Sequence, residues 1–232
     1  AQFGNVRFVK EMQSVCNQLG RSRFLCEAYG AGGWDLRFED MKRIADWLGV
    51  LGVNLFDEHL SYITLRGARK ADHPQSFSYH EPWWDAYHVM AEYITRLSVA
   101  MSVGQQRNHV LVIEPTTTAW MYQADATQAA RLGEIGKTFF DLLLTLEQAQ
   151  AEYDIGCEDV MARHGGVRLP ESSTDAVCLT VGNGTYHTVV LPPATETLRS
   201  ETMALLEQFA AGGGRIVCCG PPPALVDARP SE

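Results

Sequence analysis

Apolar residues recur every three to four positions over residues 5–19, where Val6, Val9, Met12, Val15, Cys16 and Leu19 share one face and Gly20 ends the run. That spacing predicts an amphipathic helix. Residues 23–27 form a short apolar run and predict a buried strand. The helical period returns over 38–51, with Met41, Ile44, Ala45, Leu48 and Leu51 inward and Gly52 as the stop, and 53–56 predict the next strand. Helix, strand, helix, strand in succession implies parallel pairing. Residues 57–80 follow as a long loop, and 82–101 read as a long helix. Loops of that length inside a compact domain are usually functional or disordered, and the aromatic content favours function.

A second pattern starts near Gln105. Residues 110–113 predict a strand, 129–150 a helix with Leu132, Ile135, Phe139, Leu142, Leu143 and Leu146 on one face, and 153–155 a strand. Residues 167–169 and 177–181 predict a hairpin-forming pair, with Gly182-Asn183-Gly184 as a turn. A strand over 187–191 ends in Pro192-Pro193, a helix over 197–211 stops at Gly212-Gly213-Gly214, and 216–219 predict a last strand. Alternating apolar strands and helices imply a doubly wound α/β sheet of the flavodoxin type over 105–220, with 221–232 as a frayed tail. A domain of that length is expected to fold by itself.

Composition narrows the class. The 232 residues are 46% hydrophobic and 20% charged, enough to bury a core. A formal net charge of −9 leaves no basic surface for nucleic acid, since Arg66-Gly67-Ala68-Arg69-Lys70 is the sole basic cluster. No run is long and apolar enough to span a bilayer, so no membrane partner is expected. Six cysteines, none in a Cys-x-x-Cys pair, predict free structural thiols, mostly buried, and no metal site. No signal peptide opens the sequence, and a periplasmic or extracellular setting is expected for the full-length protein.

The densest chemistry lies between Cys26 and Trp84. Glu27 closes the apolar run Phe24-Leu25-Cys26 and precedes the glycine-rich Gly30-Ala31-Gly32-Gly33-Trp34. Asp57, Glu58 and His59 close the second run; as neighbours on a strand, Asp57 and Glu58 point to opposite faces, so only one can face a site. Catalytic side chains of (β/α)-barrel enzymes sit at such strand ends. Glu27 is the candidate catalytic carboxylate. Trp34, Asn54, His59, Arg66, His80 and Trp83 are candidate substrate contacts, with His73, Glu81 and Trp84 as further rim residues. Tryptophans of this kind stack on sugar faces or pack helix against barrel, and both readings stand for Trp83 and Trp84.

Residues 5–122 resemble the last two βα units of a clan of barrel glycoside hydrolases, above all the bacterial α-L-rhamnosidases with large multi-domain chains, and more distantly the β-galactosidases whose barrel precedes a flavodoxin-like domain. The carrying residues are Glu27 with Gly30, Gly33 and Trp34, Phe38-Glu39-Asp40-Met41-Lys42, Gly52-Val53-Asn54, His59, Ser76-Phe77-Ser78-Tyr79 before Pro82-Trp83-Trp84, and Val110 to Pro115. The resemblance implies that residues 1–104 are the C-terminal portion of a (β/α)8 barrel and that the chain is a fragment carrying one of two catalytic carboxylates. It implies an oligo- or polysaccharide substrate, no organic cofactor, and calcium as an option in the full-length enzyme, with Asp57, Glu58 and Asp72 as oxygen donors. A rhamnosidase-like mechanism makes Glu27 the general base of an inverting reaction; a β-galactosidase-like one makes it the nucleophile of a retaining reaction. A non-catalytic carbohydrate-binding or scaffold protein is the rival reading. The unpaired barrel strands also predict a homo-oligomer. The later residues resemble a class I amidotransferase in fold, but no Gly-x-Cys-x-Gly elbow is present, so that activity is not expected.

Overall fold

A computed structural model of the chain describes residues 6–72, 75–170, 172 and 176–230. In chain order its elements are α1 (Val6–Leu19), β1 (Leu25–Ala28), α2 (Phe38–Val50), β2 (Leu55–Glu58), α3 (Tyr87–Ser102), β3 (Val110–Ile113), α4 (Thr116–Gln123), α5 (Ala129–Gln148), β4 (Asp154–Gly156) and α6 (Glu158–His164). Then come β5 (Gly165–Arg168), β6 (Cys178–Val181), β7 (Gly184–Tyr186), β8 (Thr188–Leu191), β9 (Thr197–Leu198), α7 (Ser200–Ala211), β10 (Arg215–Cys218), β11 (Leu225–Val226) and β12 (Arg229–Pro230). The fold is mixed α/β with parallel sheets. Its described residues divide into two compact units, one within 22–105, the other within 6–21 and 106–230.

In the first unit β1 and β2 pair in parallel, with Leu25 opposite Leu55, Glu27 opposite Asp57 and Ala28 opposite Glu58. The pair is tied at its start by Asn54. Its buried amide oxygen accepts the Phe24 N–H at 3.0 Å, and its nitrogen donates to the carbonyls of Ser22 at 3.1 Å and Met101 at 3.4 Å. Strand pleating puts Leu25, Glu27, Leu55 and Asp57 on one exposed face, and Cys26, Ala28, Phe56 and Glu58 on a more buried one. The buried face meets α3, where the Tyr87 hydroxyl donates to Glu58 at 2.7 Å. Helix α2 buries Met41, Ala45 and Leu48 along one stripe and crosses α3 closely at Gly49, where a Cβ would stand 3.3 Å from Leu97. The expected single helix over 82–101 is instead a 3-10 turn, Trp84–Ala86, leading into α3.

In the second unit four parallel strands stand in the order β10-β8-β3-β4. Their alternate residues fill two cores. Leu111, Ile113, Val189 and Leu191 face α6, α7 and the antiparallel sheet β5-β6-β7 through Met161, Leu206, Phe209, Leu179 and Tyr186. Val112, Val190 and Ile155 face α5 through Phe139 and Leu143. Both faces covered is what makes these strands read as unbroken apolar runs.

Helix α1 belongs to this second unit, whereas the sequence order suggested the first. It satisfies the free edge of β4. The Ser14 hydroxyl accepts the Ile155 N–H at 2.7 Å, and the Gln18 amide donates to the Ile155 carbonyl at 3.1 Å. Buried Asp154 accepts from Asn17, Asn108 and Tyr186 at 2.8–2.9 Å, yet burial still holds its carboxyl above the usual range. These polar side chains lie off the apolar face of α1, so hydrophobic spacing does not mark them.

Three other expectations change. The helix predicted over 197–211 begins with β9 and becomes helical only at Ser200. Residues 225–230 of the expected frayed tail form β11 and β12, with β11 parallel to β9 and antiparallel to β12. All six cysteines are free, but only Cys178 is buried, and Cys218 and Cys219 are exposed.

Candidate functional site

Glu27 stands one residue before the end of β1 on the open strand face, with its side chain 59% exposed. Asp57 lies directly across from it on β2. One step on, the His59 N–H extends the strand pairing by donating to the Ala28 carbonyl at 3.0 Å, which turns its ring back toward β1. His59 Nε2 then lies 2.9 Å from Glu27 Oε1. Among the described residues Glu27 Oε2 takes no hydrogen bond. The pleat thus decides the ambiguity at 57–58: Asp57 joins Glu27, and Glu58 is held by Tyr87. Tyr87 lies within an apolar, aromatic setting, and burial with the neighbouring Glu58 carboxylate pushes its hydroxyl well above its ordinary range.

The loop after β1 wraps the site. Tyr29 and Ala31 take left-handed backbone conformations, φ 68° and 63°, which cost a residue with a Cβ on the order of 1–3 kcal/mol each. Tyr29 is held there by its ring, which is buried, stacks on Phe77 at 5.7 Å and donates its hydroxyl to the Met41 carbonyl at 3.2 Å. Gly32 is required by crowding, since a Cβ would meet the Tyr29 carbonyl at 2.9 Å. Between this loop and α2 lies a hollow of about 310 Å³ with Glu27 at its rim and Leu36, Ile44 and Trp47 in its wall.

The long loop is pinned at its base. The Phe77 N–H donates to the Leu60 carbonyl at 2.9 Å, Ser61 donates to the Phe77 carbonyl at 2.6 Å, and the Tyr62 N–H donates to Ser76 Oγ at 2.9 Å. Gln75 ties this base to the first loop through the Tyr29 carbonyl at 3.2 Å. His80 is oriented by Ser78 and Ser76, whose hydroxyls lie 2.8 and 3.2 Å from Nδ1.

The remaining candidates separate. Asn54 lies at the other end of β2 and its amide is engaged by backbone, so it serves the strand pairing. Trp83 packs among Phe38, Phe77 and Tyr87, with ring centroids 5.5, 5.6 and 5.5 Å away, and Trp84 stacks on Tyr87 at 5.6 Å. Both tryptophans therefore belong to the aromatic packing of α2, α3 and the loop. Trp34 is half-buried, and its indole N–H finds no partner among the described residues. Arg66 is exposed just before the short turn Gly67–Ala71, and no hydrogen bond or ion pair joins it to Glu27 among the described residues. Asp72 pairs with Arg69 at 3.2 Å, and His73 lies outside the described residues. Glu81 is 4% exposed with both carboxyl oxygens unpartnered among the described residues, and burial pushes its carboxyl up to about 7. Among the described residues no three His, Cys, Asp or Glu side chains are arranged to hold a metal ion.

In the second unit Cys157 is the residue between β4 and α6, half-buried and free. Cys178 lies 3.5 Å from His187 Nδ1, but it sits inside β6 and its thiol donates to the Ala176 carbonyl at 3.3 Å. Cys218 ends β10, and no helix follows it among the described residues.

Comparison with protein-family models gives no match, and comparison with curated proteins gives none. Among solved structures the chain is similar to a rhamnosidase from Novosphingobium sp. PP1Y. The TM-score is 0.64 at 18% identity over 95% of this chain. The chain spans 20% of that protein's length. At this identity the likeness shows the fold.

Proposed function

We propose that this chain is part of a glycoside hydrolase of the α-L-rhamnosidase type, with Glu27 as one of its two catalytic carboxylates. The observation that carries the reading is Glu27 near the end of a parallel strand, exposed, with His59 Nε2 2.9 Å from its Oε1 and Asp57 across from it. In this reading β1 and β2 are the last two strands of a (β/α)8 barrel. The second unit is flavodoxin-like, which its strand order supports: counted along the chain, its strands run second, first, third, fourth, as in flavodoxin-type sheets. The rhamnosidase fold likeness supports the same assignment.

Glu27 acts as the general base in an inverting reaction, taking a proton from water at Oε2 as that water attacks the anomeric carbon and the glycosidic C–O bond breaks, the second carboxyl group protonating the departing oxygen. Trp34, Arg66 and His80, on the loops after β1 and β2, are proposed to contact an oligo- or polysaccharide. The exposed Leu25 and Leu55 support burial of the open face by further barrel strands or, in their absence, by a second copy.

The test is hydrolysis of an aryl α-L-rhamnoside by the native polypeptide that contains residues 1–232, beside its Glu27→Gln variant and beside the 232-residue chain alone. Loss of turnover in Glu27→Gln, with the anomer of the released sugar inverted, is expected, as is no turnover by the chain alone. Unchanged hydrolysis in Glu27→Gln refutes the assignment. A retained anomer makes Glu27 the nucleophile of the β-galactosidase-like mechanism.

A further inference from the structure

We propose that Tyr79 is a stacking platform for a pyranose ring, with the free ring nitrogen of His80 as the polar group beside it. The inference rests on the carbohydrate reading of the first unit and deepens it by naming a further contact residue. Phe77, Trp83 and Tyr87 of the same stretch pack on one another, whereas Tyr79 is 69% exposed. Exposure alone would leave it an idle surface ring, but what lies beneath it is fixed. Gln75, Ser76 and Phe77 are buried, and the Phe77 N–H donates to the Leu60 carbonyl, one residue beyond His59. The platform therefore stands on the strand end that brings His59 to Glu27. A turn closed by the Glu81 N–H on the Ser78 carbonyl at 3.0 Å lifts Tyr79 out of that base. The Tyr79 hydroxyl lies 3.5 Å from the Ile63 carbonyl, at the long limit of a hydrogen bond, so the ring spans both arms of the loop.

The His80 imidazole backs the Tyr79 ring, with centroids 4.2 Å apart and planes inclined by 42°. That imidazole is itself held, since the Ser78 and Ser76 hydroxyls lie 2.8 and 3.2 Å from Nδ1 and 3.0 Å from each other. A ring supported in this way meets a ligand without first ordering a loose side chain, which is the usual cost of an exposed aromatic contact. Tyrosine then offers a flat apolar surface with a polar tip. A pyranose is its counterpart, with C–H groups on one face and hydroxyls around the edge. His80 Nε2 makes no hydrogen bond among the described residues, and an imidazole nitrogen meets a hydroxyl as donor or as acceptor. A nucleobase would stack as well, but a net charge of −9 repels its phosphates. A protein surface is the remaining competitor, because Ile63 across the loop is 96% exposed.

The first measurement uses the 232-residue chain and needs no turnover. With ring-¹³C-labelled tyrosine, the Tyr79 signals are expected to shift on titration with methyl α-L-rhamnoside, methyl β-D-glucoside or methyl β-D-galactoside, while those of buried Tyr153 stay in place. Tyr79 signals indifferent to all three pyranosides overturn the inference. Signals that move instead with protein concentration also overturn it, and assign the ring to contact between copies of the chain. The second measurement is kinetic, in the native polypeptide containing the chain, with an α-L-rhamnosyl oligosaccharide as substrate. Tyr79→Ala is expected to raise KM about tenfold at unchanged kcat and unchanged thermal stability, and Tyr79→Trp to restore KM. A lower melting temperature with KM unchanged makes Tyr79 a structural residue and overturns the platform. If Glu27→Gln leaves hydrolysis intact while the pyranosides still shift Tyr79, the glycosidase assignment fails and the platform stands.

Discussion

Glu81 makes the stability of the first unit depend on pH in a direction opposite to that of most carboxylates. It is 4% exposed, both oxygens lack partners among the described residues, and burial pushes its carboxyl up to about 7 from a usual 4.5. Below the usual value, folded and unfolded chains both hold the proton and Glu81 adds no pH dependence. As the pH rises past it, the unfolded chain releases the proton while the folded chain keeps it, so unfolding gains. The penalty grows until the folded carboxyl also ionises near pH 7, and is constant above that. A gap of about 2.5 pH units at 1.36 kcal/mol each amounts to about 3 kcal/mol. Glu81→Gln keeps the shape and cannot ionise. Its stability is expected to match the parent near pH 4 and to exceed it by about 3 kcal/mol at pH 8, with the difference opening between those values. Urea unfolding across that range measures it. Tryptophan fluorescence reports mainly on this unit, which holds Trp34, Trp47, Trp83 and Trp84. Effects of the chain's net charge of −9 cancel in the comparison. Parallel stability curves for parent and variant would refute the reasoning, and would mean that Glu81 has a donor or solvent in solution.

Asn54→Ala removes the acceptor of the buried Phe24 N–H and two donors, and should cost about 3 kcal/mol in urea unfolding of the first unit. Glu27→Gln in the native polypeptide should lower kcat by about two orders of magnitude or more with sugar binding little changed, as isothermal titration would show. A piece comprising 105–220 lacks α1 and uncovers the Ile155 N–H and the Asp154 network, so its thermal unfolding should be broad; adding α1 back should sharpen it. Ser14→Ala in the whole chain should destabilise the second unit by about 1–3 kcal/mol for the same buried N–H.

The apolar periods alone located β1, β2, α2, α5 and the strands of the four-stranded sheet to within a residue or two, because both the helical stripe and the buried strand are written in side-chain hydrophobicity. The glutamate at the end of β1 was legible for the same reason: it is the first charged residue after an apolar run. The short helices α4 and α6 were not, since Thr116–Gln123 has little amphipathic contrast and Glu158–His164 is barely two turns. Other features were fixed only by the packed structure. Strand pleating sent Asp57 to the side of Glu27 and Glu58 to Tyr87, a choice set by which face α3 covers. Backbone bonds claimed Asn54, and ring packing claimed Trp83, although the sequence offered both as sugar contacts. Helix α1 left its chain neighbour β1 for the edge of β4, because Ser14, Asn17 and Gln18 meet polar groups there that a distant stretch of chain had left open. Hydrophobic periodicity records what each segment must bury; which partner buries it, and which polar atom is left facing a neighbour, is decided only when segments far apart in the chain come together.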